Sequence, residues 1–361
     1  METNSNRMSQ FAERLKSARA MAGLSLQDLA DRLQNRVSRQ ALHKYEKGEF
    51  MPDSEMLGYL CDALGVRADY FFRKAEVNLE KVEFRKHHKF PVKEKKSIIE
   101  KIRDLLSRYI ELEEILGINS KFDPGLNIKS ISSMEDVENV SIALRKKWNL
   151  GSGPIFNLIE LLEDNHIKVI EIETEDDGME GISAMVNESF PVIVINKGSA
   201  NRKKPLDRIR FTALHELAHI ILPLDQYSQK EKEKFCHYFA ASMLLPKDAV
   251  IREEIGYSRS KLLIPELGAL KQQYGISIQA IAYRLKDLGV ITESYFKQFM
   301  FMMTHLGYRV DEPFPYQGYE ESNRFNQLLF KALAEEYISM SKAASLKNKK
   351  LAEFRSEFLA A

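Results

Sequence analysis

His215, Glu216 and His219 stand in the run Phe-Thr-Ala-Leu-His-Glu-Leu-Ala-His that ends at residue 219. On a helix, residues four apart are turned by about 400° and lie one above the other on one face. Two imidazoles so placed can grip one Zn²⁺ from the same side. Glu216, next to the first of them, then comes within reach of a zinc-bound water as general base. Zinc draws the pKa of that water toward neutrality. The carboxylate takes the proton during attack on a polarised carbonyl and can pass it to the leaving amine. Leu214, Leu217, Ala218, Ile221 and Leu222 make the helix apolar enough to be buried, where unpartnered imidazoles and a carboxylate would be costly. The bland alternative is a pair of hydrogen-bonded core histidines beside a surface glutamate.

A catalytic zinc site usually keeps three protein ligands and one open position. Glu231, Glu233 and His237 are the candidates for the third. Glu233 and His237 are four apart and share a face of a helix that continues through Phe239, Ala240, Met243 and Leu244. Glu231 points at a different angle. Both glutamates also suit a solvated Lys-Glu run, so spacing alone leaves the choice open.

A second chemistry sits near the N-terminus. Ser25 can cap a helix whose apolar side is Leu26, Leu29, Ala30 and Leu33, and the polar turn Gln34-Asn35-Arg36 follows. Ser38 can cap the next helix, which runs to about Tyr45 before Gly48 stops it. That is the layout of a helix-turn-helix. Ser38, Arg39, Gln40, His43 and Lys44 are expected to face outward while Ala41, Leu42 and Tyr45 face the core. Arg39 and Gln40 suit base edges, whereas Lys44 and Lys47 suit phosphates. The expected partner is a double-stranded DNA operator. Residues 1–75 hold twelve Lys or Arg against ten Asp or Glu, a weak excess for nonspecific binding, which a homodimer would double. The alternative is a five-helix module that binds protein.

The elements that must position these groups are mostly helical. At 361 residues, 44% hydrophobic and 29% charged, the chain predicts two or three globular domains. It has no apolar run long enough to span a membrane, and its N-terminal residues lack the apolar core of a secretory signal. Only Cys61 and Cys236 occur, far apart, which speaks for a reducing cytoplasm and no disulfide framework. A basic stretch at 81–108 carries ten Lys or Arg against four Asp or Glu, with His87 and His88. It reads as a solvated helix face, with an extended DNA-binding surface or a connecting helix as the alternatives. A linker is expected at 119–133, and helices at 134–148 and 155–165. Strands are expected at 167–173, 181–186 and 191–195, the last two joined by the turn 187–189. Helices follow at 205–222, 229–244, 259–274, 277–288 and 293–304, and two more between 325 and 358.

With the strand pair, the segment Arg208-Ile-Arg-Phe-Thr-Ala-Leu-His-Glu-Leu-Ala-His and the later Glu-Lys-Phe-Cys-His-Tyr-Phe-Ala-Ala-Ser-Met-Leu-Leu-Pro246 resemble the ImmA/IrrE family of bacterial zinc metallopeptidases over residues 134–300. In that family the zinc helix is followed by a helix of the form Glu-x-x-Ala-Asn-x-Phe-Ala. The resemblance implies that Glu233 is the third zinc ligand. Cys236 and His237 stand where Ala and Asn are usual, which puts a titratable side chain beside the site. His237 is read as a supporting group and Cys236 as a packing residue. Residues 8–73, through Val-Ser-Arg-Gln-Ala-Leu-His-Lys-Tyr-Glu-Lys-Gly and the close Leu-Gly-Val-Arg-Ala-Asp-Tyr-Phe-Phe, resemble the Cro/lambda-repressor-like (XRE) helix-turn-helix family. The turn at 34–36 is about two residues longer than the usual single glycine.

These resemblances imply a mainly α chain with a small β-sheet. An all-α helix-turn-helix domain (8–73) and a basic helical connector (74–133) precede a zincin-like metallopeptidase domain (134–300) and a helical C-terminal region (301–361). Helix-turn-helix-like fragments at 275–289 and 338–346 are read as packing or protein-binding units. The implied function is a DNA-binding regulator with a zinc-dependent site-specific endopeptidase. It would cut a helix-turn-helix repressor, another partner or itself in a stress, mobile-element or defence response. The alternative is a non-catalytic zinc-containing transcription factor or antitoxin.

Overall fold

The computed structural model describes residues 2–73, 77, 92–118, 121–174, 179–186 and 190–360. The described residues divide into two units, one formed by both ends of the sequence and the other by residues between 121 and 323. Among the described residues no helix is long and apolar enough to cross a membrane. The chain is mainly helical with small sheets.

The first unit opens with α1 (Glu2–Met21), α2 (Leu26–Arg32), α3 (Arg39–Glu46), α4 (Ser54–Leu64) and a 3-10 turn, Ala68–Phe72. Phe11, Leu15, Leu29, Leu42, Leu60 and Phe71 meet in its core. Ser25, Ser38 and Asp53 cap α2, α3 and α4 by accepting from the amide three residues on. α2 ends in a Schellman turn: Gln34 N–H donates to Asp31 O and Asn35 N–H to Ala30 O. Both turn residues adopt φ +56°. Asn tolerates this conformation, whereas Gln34 stands where glycine would avoid a cost of about 1 kcal/mol. α5 (Val92–Ile115) buries Ile98, Ile102, Leu106, Tyr109 and Leu112. Of the basic stretch, residues 81–91 lie outside the described residues. The rest is more than a solvated face, because Asp104 is buried on α5 between Arg73 and Arg108.

In the second unit, α6 (Met134–Lys147) and α7 (Leu158–Asp164) precede a three-stranded sheet. Its strands are β1 (Lys168–Ile172), β2 (Gly181–Val186) and β3 (Phe190–Asn196), in the order β1-β3-β2. β1 runs parallel to β3, and β2 lies antiparallel to it with Ile182 opposite Val194. The expected turn at 187–189 lies outside the described residues. A two-residue ladder, β4 (Gly198–Ser199) with β5 (Arg202–Lys203), leads into α8 (Leu206–Ile221). α9 (Gln229–Leu244), a π-helical turn at Ala249–Glu254, α10 (Ile264–Tyr274), α11 (Ile278–Asp287) and α12 (Glu293–His305) complete it. α7 starts three residues later than expected, because the carbonyls of Ile155 and Phe156 accept from the Arg210 guanidinium. The helix expected from 259 begins only at Ile264: carried further back, it would bring the Pro265 ring against the Lys261 carbonyl.

The segment from 306 to 323 follows α12 and is fastened by two carboxylates. Glu312 accepts from the Ile278 and Gln279 amides and pairs with Lys271. Glu320 accepts from the Leu158 and Ile159 amides and pairs with Arg210, both groups fully buried. Each carboxylate thus satisfies the exposed amides of a helix start while neutralising a buried cation. Burial still raises the Glu320 carboxyl above its ordinary pKa, against the opposing pull of Arg210.

Three helices return to the first unit, where two were expected: α13 (Arg324–Ala334), α14 (Met340–Leu346) and α15 (Leu351–Ala360). Asn348, at φ +54°, makes the additional break. Leu328, Leu329, Ala344, Leu346 and Phe354 share a core with Tyr109 and Leu112 of α5.

Candidate metal centre and nucleic-acid interface

α8 is seated by a residue ahead of its functional groups. Arg210, wholly buried, donates to the carbonyls of Ile155, Tyr274 and Gly275 and meets the Glu320 carboxylate. Gly275 is required at that contact: it holds φ +62°, and a Cβ there would lie 2.5 Å from Arg210 Nε. Five residues on, His215 and Glu216 are buried and His219 is half-buried at the end of the helix. α9 is held at its far end by two buried guanidiniums. Arg145 donates to Met243 O, and Arg284 donates to Leu245 O while forming two bonds of 2.6 and 2.7 Å with Glu138. These satisfy carbonyls that a helix terminus leaves without an intrahelical partner.

Between the two helices, His215 Nε2 lies 3.3 Å from His219 Nε2 and 3.0 Å from Glu233 Oε2, and His219 Nε2 lies 3.7 Å from Glu233 Oε1. Two imidazole nitrogens and the two oxygens of one carboxylate this close need a cation or a proton among them. A tetrahedral zinc site with bonds near 2.05 Å has ligand-to-ligand edges of about 3.3 Å. The donor set of two imidazoles and a carboxylate and the observed spacings both fit that ion. Gln229 Nε2 donates to Glu233 Oε1 at 2.7 Å and helps to aim it.

Glu231, the other glutamate considered, is occupied elsewhere. It accepts from the Ser228 hydroxyl and amide in a capping box at the start of α9. Those bonds, the hydroxyl's first, draw its carboxyl below the ordinary range. His237 lies nearer. Its ring centroid is 4.5 Å from that of His215, and its Nδ1 is 2.6 Å from the Glu233 main-chain oxygen. Since a carbonyl only accepts, Nδ1 carries the proton, which leaves the lone pair of the neutral ring on Nε2. His215, Glu233 and His237 also offer ligand atoms within 4.8 Å of one another. His219 instead approaches through Nε2, 3.3 Å from His215 Nε2 and 3.7 Å from Glu233 Oε1. Cys236 is buried and takes part in no disulfide.

Sequence reasoning missed Ser183. Its hydroxyl, on β2, donates to Glu216 Oε2 at 2.7 Å and fixes the carboxylate. A single hydroxyl in an otherwise apolar strand was the available signal. Gly181 lets β2 come this close, since a Cβ there would stand 2.7 Å from Thr212 Cγ2 and 3.0 Å from Glu216 Cγ.

In the first unit, Ser38, Arg39, Gln40, His43, Lys44 and Lys47 are all exposed along α3, while Leu42 and Tyr45 are buried. Arg19 of α1 holds α3 from behind through two bonds to Glu46 of 2.6 and 2.8 Å.

A helix-turn-helix family model matches residues 15–71, and a family model described as IrrE N-terminal-like domain matches residues 163–286. A relative from Bacillus subtilis (strain 168), named as the SPbeta prophage-derived uncharacterized HTH-type transcriptional regulator YonR, is 38% identical over 74 residues. That alignment covers 20% of this chain and 67% of the relative.

Proposed function

Because the chain belongs to the XRE-type helix-turn-helix regulators and carries an ImmA/IrrE-family domain in the same polypeptide, we propose that it is a DNA-binding transcriptional regulator whose second unit is a zinc-dependent, site-specific endopeptidase. The observation that carries this reading is the convergence of His215, His219 and Glu233 at 3.3, 3.0 and 3.7 Å, with Glu216 in the same helix. Zinc held there would supply the Lewis acidity that activates water and polarises a peptide carbonyl. Glu216 carries the proton from the attacking water to the departing amine. Ser183 holds the Glu216 carboxylate in one plane. His237, bonded to the Glu233 main chain and packed on His215, positions both.

The substrate is a helix-turn-helix repressor, another partner or a copy of this chain. Cutting it would change transcription in a stress, mobile-element or defence response; the prophage origin in the relative's name favours the mobile-element setting. α3 presents Arg39 and Gln40 to bases and Lys44 and Lys47 to phosphates, with Ser38 and His43 beside them. A cytoplasmic homodimer on a two-fold operator completes the proposal.

Zinc content and substrate cleavage, measured together on the purified full-length protein, test it. Wild type and Glu216→Gln should retain zinc, His219→Ala and Glu233→Ala should lose it, and only wild type should cleave. Cleavage by Glu216→Gln would sink the mechanism, and full zinc occupancy in Glu233→Ala would move the third ligand elsewhere. A wild-type protein that holds zinc and DNA but cuts nothing would be the non-catalytic regulator or antitoxin.

A further inference from the structure

Next to the candidate metal centre a cavity of about 630 Å³ opens between α8, α9 and α11, with the first residue of α6 at its rim. Its walls are Met134, Phe211, Tyr238, Ala241, Ala280 and Tyr283. Ala241 and Ala280, on facing helices, create the space by being small. The Tyr238 phenol stays neutral, its pKa pushed up to about 12 chiefly by burial. Lys286 also lines the cavity, but its ammonium is engaged by Asp287 Oδ1 at 2.9 Å and lies over the rings of Tyr283 and Phe296. With Lys234 and Asp287 completing the lining, the cavity is mainly apolar and has Lys234, Lys286 and Asp287 as its charged members.

One side chain belongs to both the cavity and the metal-binding cluster. His237 lines the cavity, packs 4.5 Å from the His215 ring and lies 5.9 Å from the ring of Phe211, itself one helical turn before His215. A chain lying across His215 and Glu233 would have its neighbouring side chain at the cavity mouth. The volume falls within the roughly 300–1,000 Å³ of pockets that enclose organic ligands, so even the largest apolar side chains fit.

We infer that this cavity is the specificity pocket of the proposed peptidase and takes a large aliphatic or aromatic side chain of the peptide substrate, adjacent to the bond being cut. The inference rests on the peptidase reading and adds to it the class of residue selected. His237 forms the partition between pocket and metal-binding cluster. Tyr283, 49% exposed, forms the outer wall.

The test uses the full-length Glu216→Gln protein, so that peptides are held without turnover. Short peptides with a benzophenone-bearing phenylalanine analogue at one position are photo-cross-linked, and the labelled residues are mapped by mass spectrometry. Labels should fall on Met134, Tyr238 or Tyr283. Unlabelled peptides with Leu or Phe at that position should compete at least about 10-fold better than the Ala version, as expected for burial of one large apolar side chain. Ala280→Phe, which fills the cavity, should reduce labelling by a similar factor. Tyr283→Ser, at a half-exposed position, gives a second readout with little risk to folding and should weaken the Leu and Phe preference. Labels elsewhere, no labelling, no side-chain preference, or better competition by a small apolar molecule than by peptide would each overturn the inference. Cavity labelling with no cleavage by wild type would overturn the peptidase reading alone, whereas cleavage with labels outside the cavity would overturn the pocket alone.

Discussion

Gly181→Ala tests how tightly the strand above Glu216 must sit. The new Cβ would stand 2.7 Å from Thr212 Cγ2, 3.0 Å from Glu216 Cγ and 3.1 Å from the Val194 carbonyl oxygen. Ordinary contact begins near 3.4 Å, so 0.7 Å is missing at Thr212 and 0.3 Å at Val194. Thr212 is buried and branched at Cβ, so its methyl cannot turn away cheaply. Val194 belongs to the strand paired with β2 and cannot yield without disturbing the ladder. β2 must therefore lift from α8 by a few tenths of an ångström. Overpacking of this kind costs about 1–3 kcal/mol, and it stretches the 2.7 Å bond from Ser183 to Glu216. With two units in the chain a single unfolding free energy is poorly defined, so the assay is amide hydrogen exchange in β2 and β3. A loss of about 1–3 kcal/mol corresponds to roughly 5- to 150-fold faster exchange there. Thr212→Ser deletes the closest atom, so the double variant should recover part of the protection. Unchanged exchange in Gly181→Ala, or no recovery in the double variant, would refute the close seating of β2 on α8.

Arg284→Met should destabilise the second unit by about 3–5 kcal/mol by leaving Glu138 buried without its guanidinium, and adding Glu138→Leu should restore most of it; thermal melts of wild type and the two variants decide this. The Asp136 carboxyl is held down to about 2 by the Ser132 hydroxyl first and by the Ser132 and Ser133 amides and Ser133 hydroxyl with it. A depressed carboxyl stabilises the folded state at pH values above its unfolded pKa and loses that contribution as pH falls through the folded value. Amide exchange at the start of α6 should therefore quicken between about pH 4 and pH 2 in wild type, and Asp136→Asn should lack this acid dependence. In anisotropy titrations, Lys44→Ala should weaken binding to all DNA sequences and reduce the salt slope by about one. Arg39→Ala should cost about 1–3 kcal/mol on the operator and relax specificity at one base pair. Full operator affinity in both variants would remove α3 as the reading helix.

What the sequence determined by itself is mostly local. Spacing by four puts His215 over His219 on any helix, and the chain between 229 and 244 was legible as a helix from its apolar periodicity. Ser25 and Ser38 marked helix starts because a side-chain hydroxyl satisfies an amide only three residues away. The positions of α3 expected to be exposed followed from the same period. Break points were less visible. Glu320 and Arg210 lie 110 residues apart, yet together they set where α7 begins.

Tertiary structure alone brought Glu233, rather than Glu231, to the two histidines. The two glutamates differ because Ser228 claims one and the packing of α9 on α8 aims the other, and such competition between a local bond and a distant one is not written in spacing. It likewise brought Ser183 from β2 onto Glu216, through a glycine whose lack of a Cβ matters only because Thr212 lies opposite. It also joined α13–α15 to α5 and the helix-turn-helix helices, since apolar faces carry no address until the chain closes them. Residue types thus selected the chemistry, while the convergence of polar atoms from separate segments chose which residues can perform it.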